Sequence, residues 1–199
     1  MDKQTAELGA KILQNLPGMN SEMMQKWIDD PQGLQKALRQ ALCRFKTFMI
    51  VKLGTGLKTA DEFRSAFVSG GCQISDWASD ILNKVVVATK ETELELVVAS
   101  VAELGFKKGA KYSDICDQIK ELGHDLCPAE VGPQLRLQYE NQPNGEWLRV
   151  AMEPIEDSGG DLGVFLVRRG DDDQWLSTHY VSPGLVWIPE DVFVFAVRK

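Results

Sequence analysis

The segment after Tyr139 constrains the fold more than any other part of the sequence, because short apolar runs alternate there with turn-rich ones. The turn-rich runs are made of Gly, Asp, Asn and Pro, which favour turns between strands. The apolar runs are rich in Val, Phe and Trp, which favour strands. We therefore predict four strands, carried by the runs EWLRVAMEP, GVFLVRR, QWLST and DVFVFAVRK.

Two further strands precede this segment. FKTFMIVKL is apolar and β-branched, and TELELVVASV alternates Leu94 and Leu96 with Glu93 and Glu95. Such alternation is typical of a strand with one face in water. The second strand therefore predicts a sheet that is covered on one side.

The remaining segments have helical periodicity. Near the N-terminus we predict three short helices: one through Leu8 and Leu13, one capped by Asn20 or Ser21, and one opened by Pro31. Short amphipathic helices bury one stripe each, so they need something to pack against. We expect them to dock on a partner or to form an oligomer.

Four more helices are predicted farther along the chain. Thr59 and Glu62 have the spacing of a capping box. ISDWASDIL places Trp77 and Ile81 inward, and KYSDICDQIKELG ends at Gly123. Pro128 and Pro133 bracket the start of AEVGPQLRLQY, because proline is tolerated in a first helical turn. The prediction is an α+β protein with a helical segment 1–45, a small strand and helix unit 46–90, and a mixed domain 91–199.

The order from Leu94 onward is strand, two helices and four strands. It resembles the C-type-lectin-like fold, in which the first and last strands pair and loops present a ligand surface. The segments AELGFKKGAKYSDI, LCPAEVGPQLRLQY, GEWLRVAMEPI and DVFVFAVRK are similar to a bacterial protein family whose C-terminal portion resembles the variable proteins of diversity-generating retroelements. In those proteins, changeable residues precede a closing strand of the RF-x-x-VR type.

The resemblance implies non-catalytic recognition of a protein or other macromolecular ligand. It implies that the last strand pairs with the strand around Leu94, and that the surface before the last strand binds the ligand. The binding residues that it carries over are Trp175, Ser177, Thr178, His179, Tyr180, Ser182, Leu185, Trp187 and Asp191.

The composition of WLSTHYVSPGLVW supports a binding loop between a strand that ends at Leu176 and one that begins at Val192. Trp and Tyr give large contact areas at a small cost in conformational entropy, and His, Ser and Thr give adaptable hydrogen bonds. We expect His179 and Tyr180 to be exposed in this loop. The alternative for Trp175 and Trp187 is that they fill the core beneath it.

The charge and hydropathy of the chain bear on its partners. A net charge of −7 disfavours non-specific nucleic-acid binding. No apolar run approaches the roughly 20 residues that cross a bilayer, and the first residues form an amphipathic helix rather than a signal peptide. We therefore expect no membrane partner and a cytosolic location.

The motifs for enzyme chemistry are incomplete. GTGLK lacks P-loop spacing, because Leu57 separates Gly56 from Lys58. His124 and Cys127 have an H-x-x-C spacing, but a fourth zinc ligand is missing. We expect no catalytic residue, metal or cofactor, and reduced, buried thiols at the four cysteines. Two alternatives stay open: a small hydrolase or thiol enzyme using Cys127 with His124 or His179, and a structural or phage-related accessory protein.

Overall fold

The structure is a computed structural model that describes residues 21–30, 45–170 and 173–198. The chain divides into two compact units, 1–44 and 45–199. In the first unit, α1 (Ser21–Asp29) confirms the second predicted helix. The helices predicted through Leu8 and after Pro31, and Cys43, lie outside the described residues.

The second unit contains four helices and eleven strands among its described residues. Their order confirms the predicted α+β class. The elements in chain order are β1 (Thr47–Leu53), α2 (Ala60–Ser69), β2 (Cys72–Ile74), α3 (Asp76–Leu82), β3 (Thr92–Ser100), β4 (Ala110–Lys111), α4 (Tyr112–Glu121), β5 (His124–Asp125), α5 (Val131–Gln138), β6 (Trp147–Val150), β7 (Ile155–Glu156), β8 (Leu162–Arg169), β9 (Gln174–Val181), β10 (Val186–Trp187) and β11 (Val192–Val197).

Most of these strands form one sheet in the order β1-β3-β11-β6-β8-β9-β2, with β5 on β11 and β7 on β8. The strand β11 pairs antiparallel with β3, from Val192 opposite Ser100 to Ala196 opposite Leu96. This pairing confirms that the tail lies beside the strand around Leu94. On its other side, β11 pairs parallel with β6. Strands from 46–90 and from 91–199 therefore share one sheet.

Helices cover both faces of this sheet. On one face, α5 lies so close to β8 that Gly132 contacts the ring of Phe165, and Leu135 is buried there. On the other face, the ring of Tyr112 from α4 packs against Phe193, with ring centroids 6.0 Å apart. The Tyr112 hydroxyl also donates to the carbonyl of Met152 and accepts from its N–H, at 2.7 and 2.9 Å. The buried core therefore lies in two layers, one on each side of the sheet.

A buried carboxylate fixes α5 against the end of β1. The side chain of Glu130 accepts hydrogen bonds from the N–H groups of Gly54 and Ala88, both at 2.7 Å. Nε2 of Gln134 donates to the same carboxylate. Hydrogen bonds to a charged acceptor are stronger than neutral ones, so Glu130 holds three segments together.

Local signals around α2 and α3 are mostly confirmed. The capping box of Thr59 and Glu62 is present, and the backbone N–H groups of Lys58 and Thr59 lower the pKa of the Glu62 carboxyl. The inward placement of Trp77 is wrong, because this residue is 56% exposed. The buried face of α3 carries Ala78 and Ile81, and a residue one position earlier than Ala78 is rotated about 100° away on a helix.

Among the described residues, no helix has both the length and the apolar character needed to cross a bilayer.

We expect Gly132→Ala to destabilise the protein by about 1–3 kcal/mol, because the added methyl group overpacks a filled contact. An ideal Cβ at this position comes within 2.5 Å of the Phe165 ring. Gly184→Ala is the matched control, because a Cβ there meets no atom within 4 Å. Urea unfolding measures both free energies. Equal stability of the two variants would contradict the close packing of α5 on β8.

Candidate functional site

The predicted binding loop is largely a strand. The strand was expected to end at Leu176, but β9 continues to Val181 and pairs with β8 along its whole length, so the loop assignment of residues 177–181 is wrong. Polar residues such as Thr and Tyr are compatible with strands when one face is partly exposed. The turn that remains is short, and within it the N–H of Leu185 donates to the carbonyl of Ser182.

Side chains alternate along a strand, so β9 divides the predicted residues between two faces. Trp175, Ser177 and His179 lie on one face, whereas Thr178 and Tyr180 lie on the other. Ser177 is buried, His179 is partly exposed and Tyr180 is 51% exposed. The predicted exposure is therefore confirmed for Tyr180 and only partial for His179.

Neighbouring strands add aromatic and basic side chains to the face that carries Trp175. The register places Trp147 of β6 opposite Arg168 of β8, and Arg168 opposite Trp175. The guanidinium carbon of Arg168 lies 5.5 Å from the Trp147 ring centroid and 5.0 Å from that of Trp175. Nε of Arg168 donates to Oγ of Ser177 at 3.1 Å. We call Trp147, Arg168, Trp175 and Ser177 the arginine–tryptophan surface.

The charge of Arg168 has no carboxylate partner within 4.0 Å in the described part of the chain. Trp147 is 43% exposed, and Arg168 and Trp175 are partly exposed. A guanidinium over an indole face gains about 0.5–2 kcal/mol, depending on its exposure. The two rings therefore hold Arg168 in place while most of its N–H groups remain available.

A second arginine on the same face is buried and neutralised. Nη2 of Arg149 pairs with Oδ1 of Asp191 at 2.7 Å, and Nε of Arg149 donates to Nδ1 of His179 at 3.4 Å. The guanidinium also lies over the Trp187 ring, 5.7 Å from its centroid. We call Arg149, His179, Trp187 and Asp191 the buried cluster.

Asp191 and Trp187 are held in place by contacts within the fold. The other carboxylate oxygen of Asp191 accepts from the N–H of Ile188, which closes the turn before β11. Trp187 is only 2% exposed and packs on His179 and Phe193, with ring centroids 4.2 and 5.0 Å away. Its burial agrees with the alternative in which Trp187 fills the core. The Trp187 Nε1 has no hydrogen-bond partner among the described residues.

Sequence reasoning missed Trp147, Arg149 and Arg168 as site residues. The alternation of Trp147 and Arg149 within EWLRVAMEP puts both on one face of β6. That face joins Arg168 only through the register of β6 on β8, which lies across a long connection. The alternation of side chains along β6 could therefore be read from the sequence, whereas the pairing of β6 with β8 could not.

The cysteine and histidine environments favour uncharged forms. Burial raises the pKa of the Cys127 thiol, and it raises the pKa of Cys116 to about 11. Burial also lowers the pKa of His124, whose ring packs against Phe195 with centroids 5.0 Å apart. A nucleophilic cysteine needs a lowered pKa, so the surroundings of Cys127 give thiolate chemistry no support. Within the described ranges, no three His, Cys, Asp or Glu side chains are grouped to hold a metal ion.

Comparisons of the chain with protein-family models, with curated proteins and with solved structures find no match.

We expect the stability of the protein to fall as the pH decreases below about 6.5. Burial, followed by the charge of Arg149, lowers the pKa of His179 from its ordinary value of 6.5, and His124 is also lowered by burial. The unfolded chain therefore binds protons at a higher pH than the folded one, and the free energy of unfolding decreases through this window. Urea unfolding between pH 7.5 and 5.5 measures the slope.

The control is the double variant His124→Asn and His179→Asn, which removes both titrating rings and keeps short polar side chains. Its free energy of unfolding should vary less with pH over this window than that of the original protein. The same slope in both proteins would contradict the assignment to these histidines.

Proposed function

We propose that residues 91–199 form a C-type-lectin-like domain that binds a protein ligand without catalysis. The pairing of β3 with β11 supports this fold, because the fold joins its first and last strands. The order of elements supports it too. The chain places the helices α4 and α5 between β3 and β6, and the sheet then contains β3, β11, β6, β8 and β9 side by side in that order. Fold alone names no ligand, so the function rests on the chemistry of a site.

The arginine–tryptophan surface is the binding site in this proposal, and one observation carries it. Arg168 is held between two tryptophan rings, is partly exposed, and has no carboxylate partner among the described residues. An arginine positioned in this way is suited to a carboxylate, which its fork of donors binds in a bidentate manner. Trp and Arg are also the residues that dominate many protein interfaces.

The predicted binding residues then have different roles. Trp175 contributes to the contact surface, and the buried Ser177 holds Arg168 through its hydroxyl group. His179, Trp187 and Asp191 hold Arg149 behind this surface. Ser182 and Leu185 belong to the turn that leads to β10. The ligand in this proposal is an acidic segment of a protein.

The net charge of −7 repels acidic chains at long range, so the proposal depends on the local geometry of Arg168. The negative charge of the chain favours selectivity between acidic ligands, because a ligand must bring its carboxylate to Arg168. Docking or oligomerisation through the N-terminal helices and a cytosolic location stay predictions. The thiol-enzyme alternative lacks support at Cys127, and the structural-accessory alternative predicts no ligand at this surface.

A displayed library of random twelve-residue peptides, panned on the full chain, tests the proposal. We expect the selected peptides to be enriched in Asp and Glu. Arg168→Met keeps an apolar side chain between the rings and removes the charge, so it should weaken these peptides about tenfold or more, as the loss of a charged hydrogen bond predicts.

Lys52→Met is the matched control, because it removes one positive charge from β1 at the far end of the sheet. It should leave the affinity nearly unchanged. Peptides without acidic enrichment, or equal weakening in both variants, would overturn the proposed site.

A further inference from the structure

A second groove lies on the opposite face of the sheet from the arginine–tryptophan surface. It runs between α3 and the ends of β8 and β9 and has a volume of about 460 Å³. We call it the Trp77–Tyr180 groove. Its lining includes Trp77, Tyr180, Leu162, Thr178, Asp157 and Asp161.

Its walls expose an unusual amount of apolar side chain. Trp77 is 56% exposed and Tyr180 is 51% exposed. Single exposed apolar residues are ordinary, but a patch of them in a concavity is typical of a contact site. The two residues come from α3 and β9, so the fold brings them together from separate parts of the chain.

Hydrogen bonds fix the position of these walls. Oδ2 of Asp80 in α3 accepts from the N–H of Ser158 at 2.6 Å, and Nζ of Lys84 donates to the carbonyl of Glu156. The backbone N–H of Ser158 lowers the pKa of the Asp80 carboxyl. The turn that carries Asp157 and Asp161 is therefore tied to the helix that carries Trp77.

The charges on the groove are negative. Oδ1 of Asp157 accepts from the N–H groups of Gly159 and Asp161, which leaves its second oxygen available. The Asp161 carboxylate has no hydrogen bond or ion pair within the described part of the chain. Among the described residues, the lining of the groove includes no Lys or Arg.

We propose that the Trp77–Tyr180 groove binds a cationic side chain, lysine or arginine, of a partner protein. Aromatic faces attract a cation through their quadrupole, and the two carboxylates add attraction of the same sign. A purely apolar occupant gains nothing from Asp161, and an anionic occupant is repelled by both aspartates. The site is distinct from the arginine–tryptophan surface in its face of the sheet and in the charge that it selects.

The probes for this site are the methylamides of Nα-acetyl-lysine and Nα-acetyl-arginine, with Nα-acetyl-norleucine methylamide as the neutral match for lysine. The full chain is titrated, and the indole N–H resonance of Trp77 is followed by NMR, after assignment with Trp77→Phe. We expect saturable shifts with both cationic probes, weakened by added salt because the attraction is partly Coulombic. Norleucine should give little shift.

Asp161→Asn tests the carboxylate, because this carboxylate has no hydrogen bond or ion pair among the described residues and its removal should not disturb folding. We expect the lysine probe to bind about two- to fivefold more weakly, in keeping with an exposed charge pair. Asp173→Asn removes an exposed charge before β9, outside the groove, and should leave the affinity unchanged. Arg168→Met should also leave it unchanged, which separates this site from the proposed function.

Four results would overturn the proposal. One is a norleucine shift as large as that of lysine, which indicates an apolar site. Methyl glucoside is the probe for a sugar site, and the second result is a Trp77 shift with methyl glucoside but none with the lysine and arginine probes. The third is equal weakening by Asp161→Asn and Asp173→Asn, and the fourth is no shift with any probe.

Discussion

The insertion of β11 between β3 and β6 is the constraint on which the rest of the second unit depends. The strand is hydrogen-bonded on both edges, and its residues from Phe193 to Ala196 are buried. Because β11 pairs with both neighbours, it joins the β1-β3 side of the sheet to the β6-β8-β9 side. The same insertion places Asp191, just before β11, next to Arg149 of β6. The geometry of the candidate site is therefore a consequence of where the tail lies.

Three arginines of the second unit differ in their burial and in the partners of their charge. Arg136 is buried, and its nitrogens donate to side-chain and backbone oxygens of Gln142, Tyr139 and Gln174. Arg149 is buried and paired with Asp191. Burial lowers the pKa of both, and partners offset the cost of their desolvation. Arg168 differs because its partners are two aromatic faces and Ser177, so its charge has no carboxylate partner among the described residues.

Local patterns predicted much of this fold, but the pairing of strands decided the site. The capping box at Thr59, the helix through Ile115 and the strand around Leu94 depend on near neighbours, and each is confirmed. Ser and Thr before Pro183 suggested a loop, yet β8 provides a partner that extends β9 to Val181. The meeting of Trp147 with Arg168 depends on the register of β6 on β8, which no short sequence segment specifies.

The tail is an interior strand of the sheet and holds both sides together. Native-state hydrogen exchange of the full chain tests it most directly, because exchange free energies report local opening for each amide. We predict that the hydrogen-bonded amides from Phe193 to Ala196 exchange only through global unfolding, with the free energy that denaturant unfolding gives. Exchange of these amides at lower free energy than those of the edge strand β1 would contradict it.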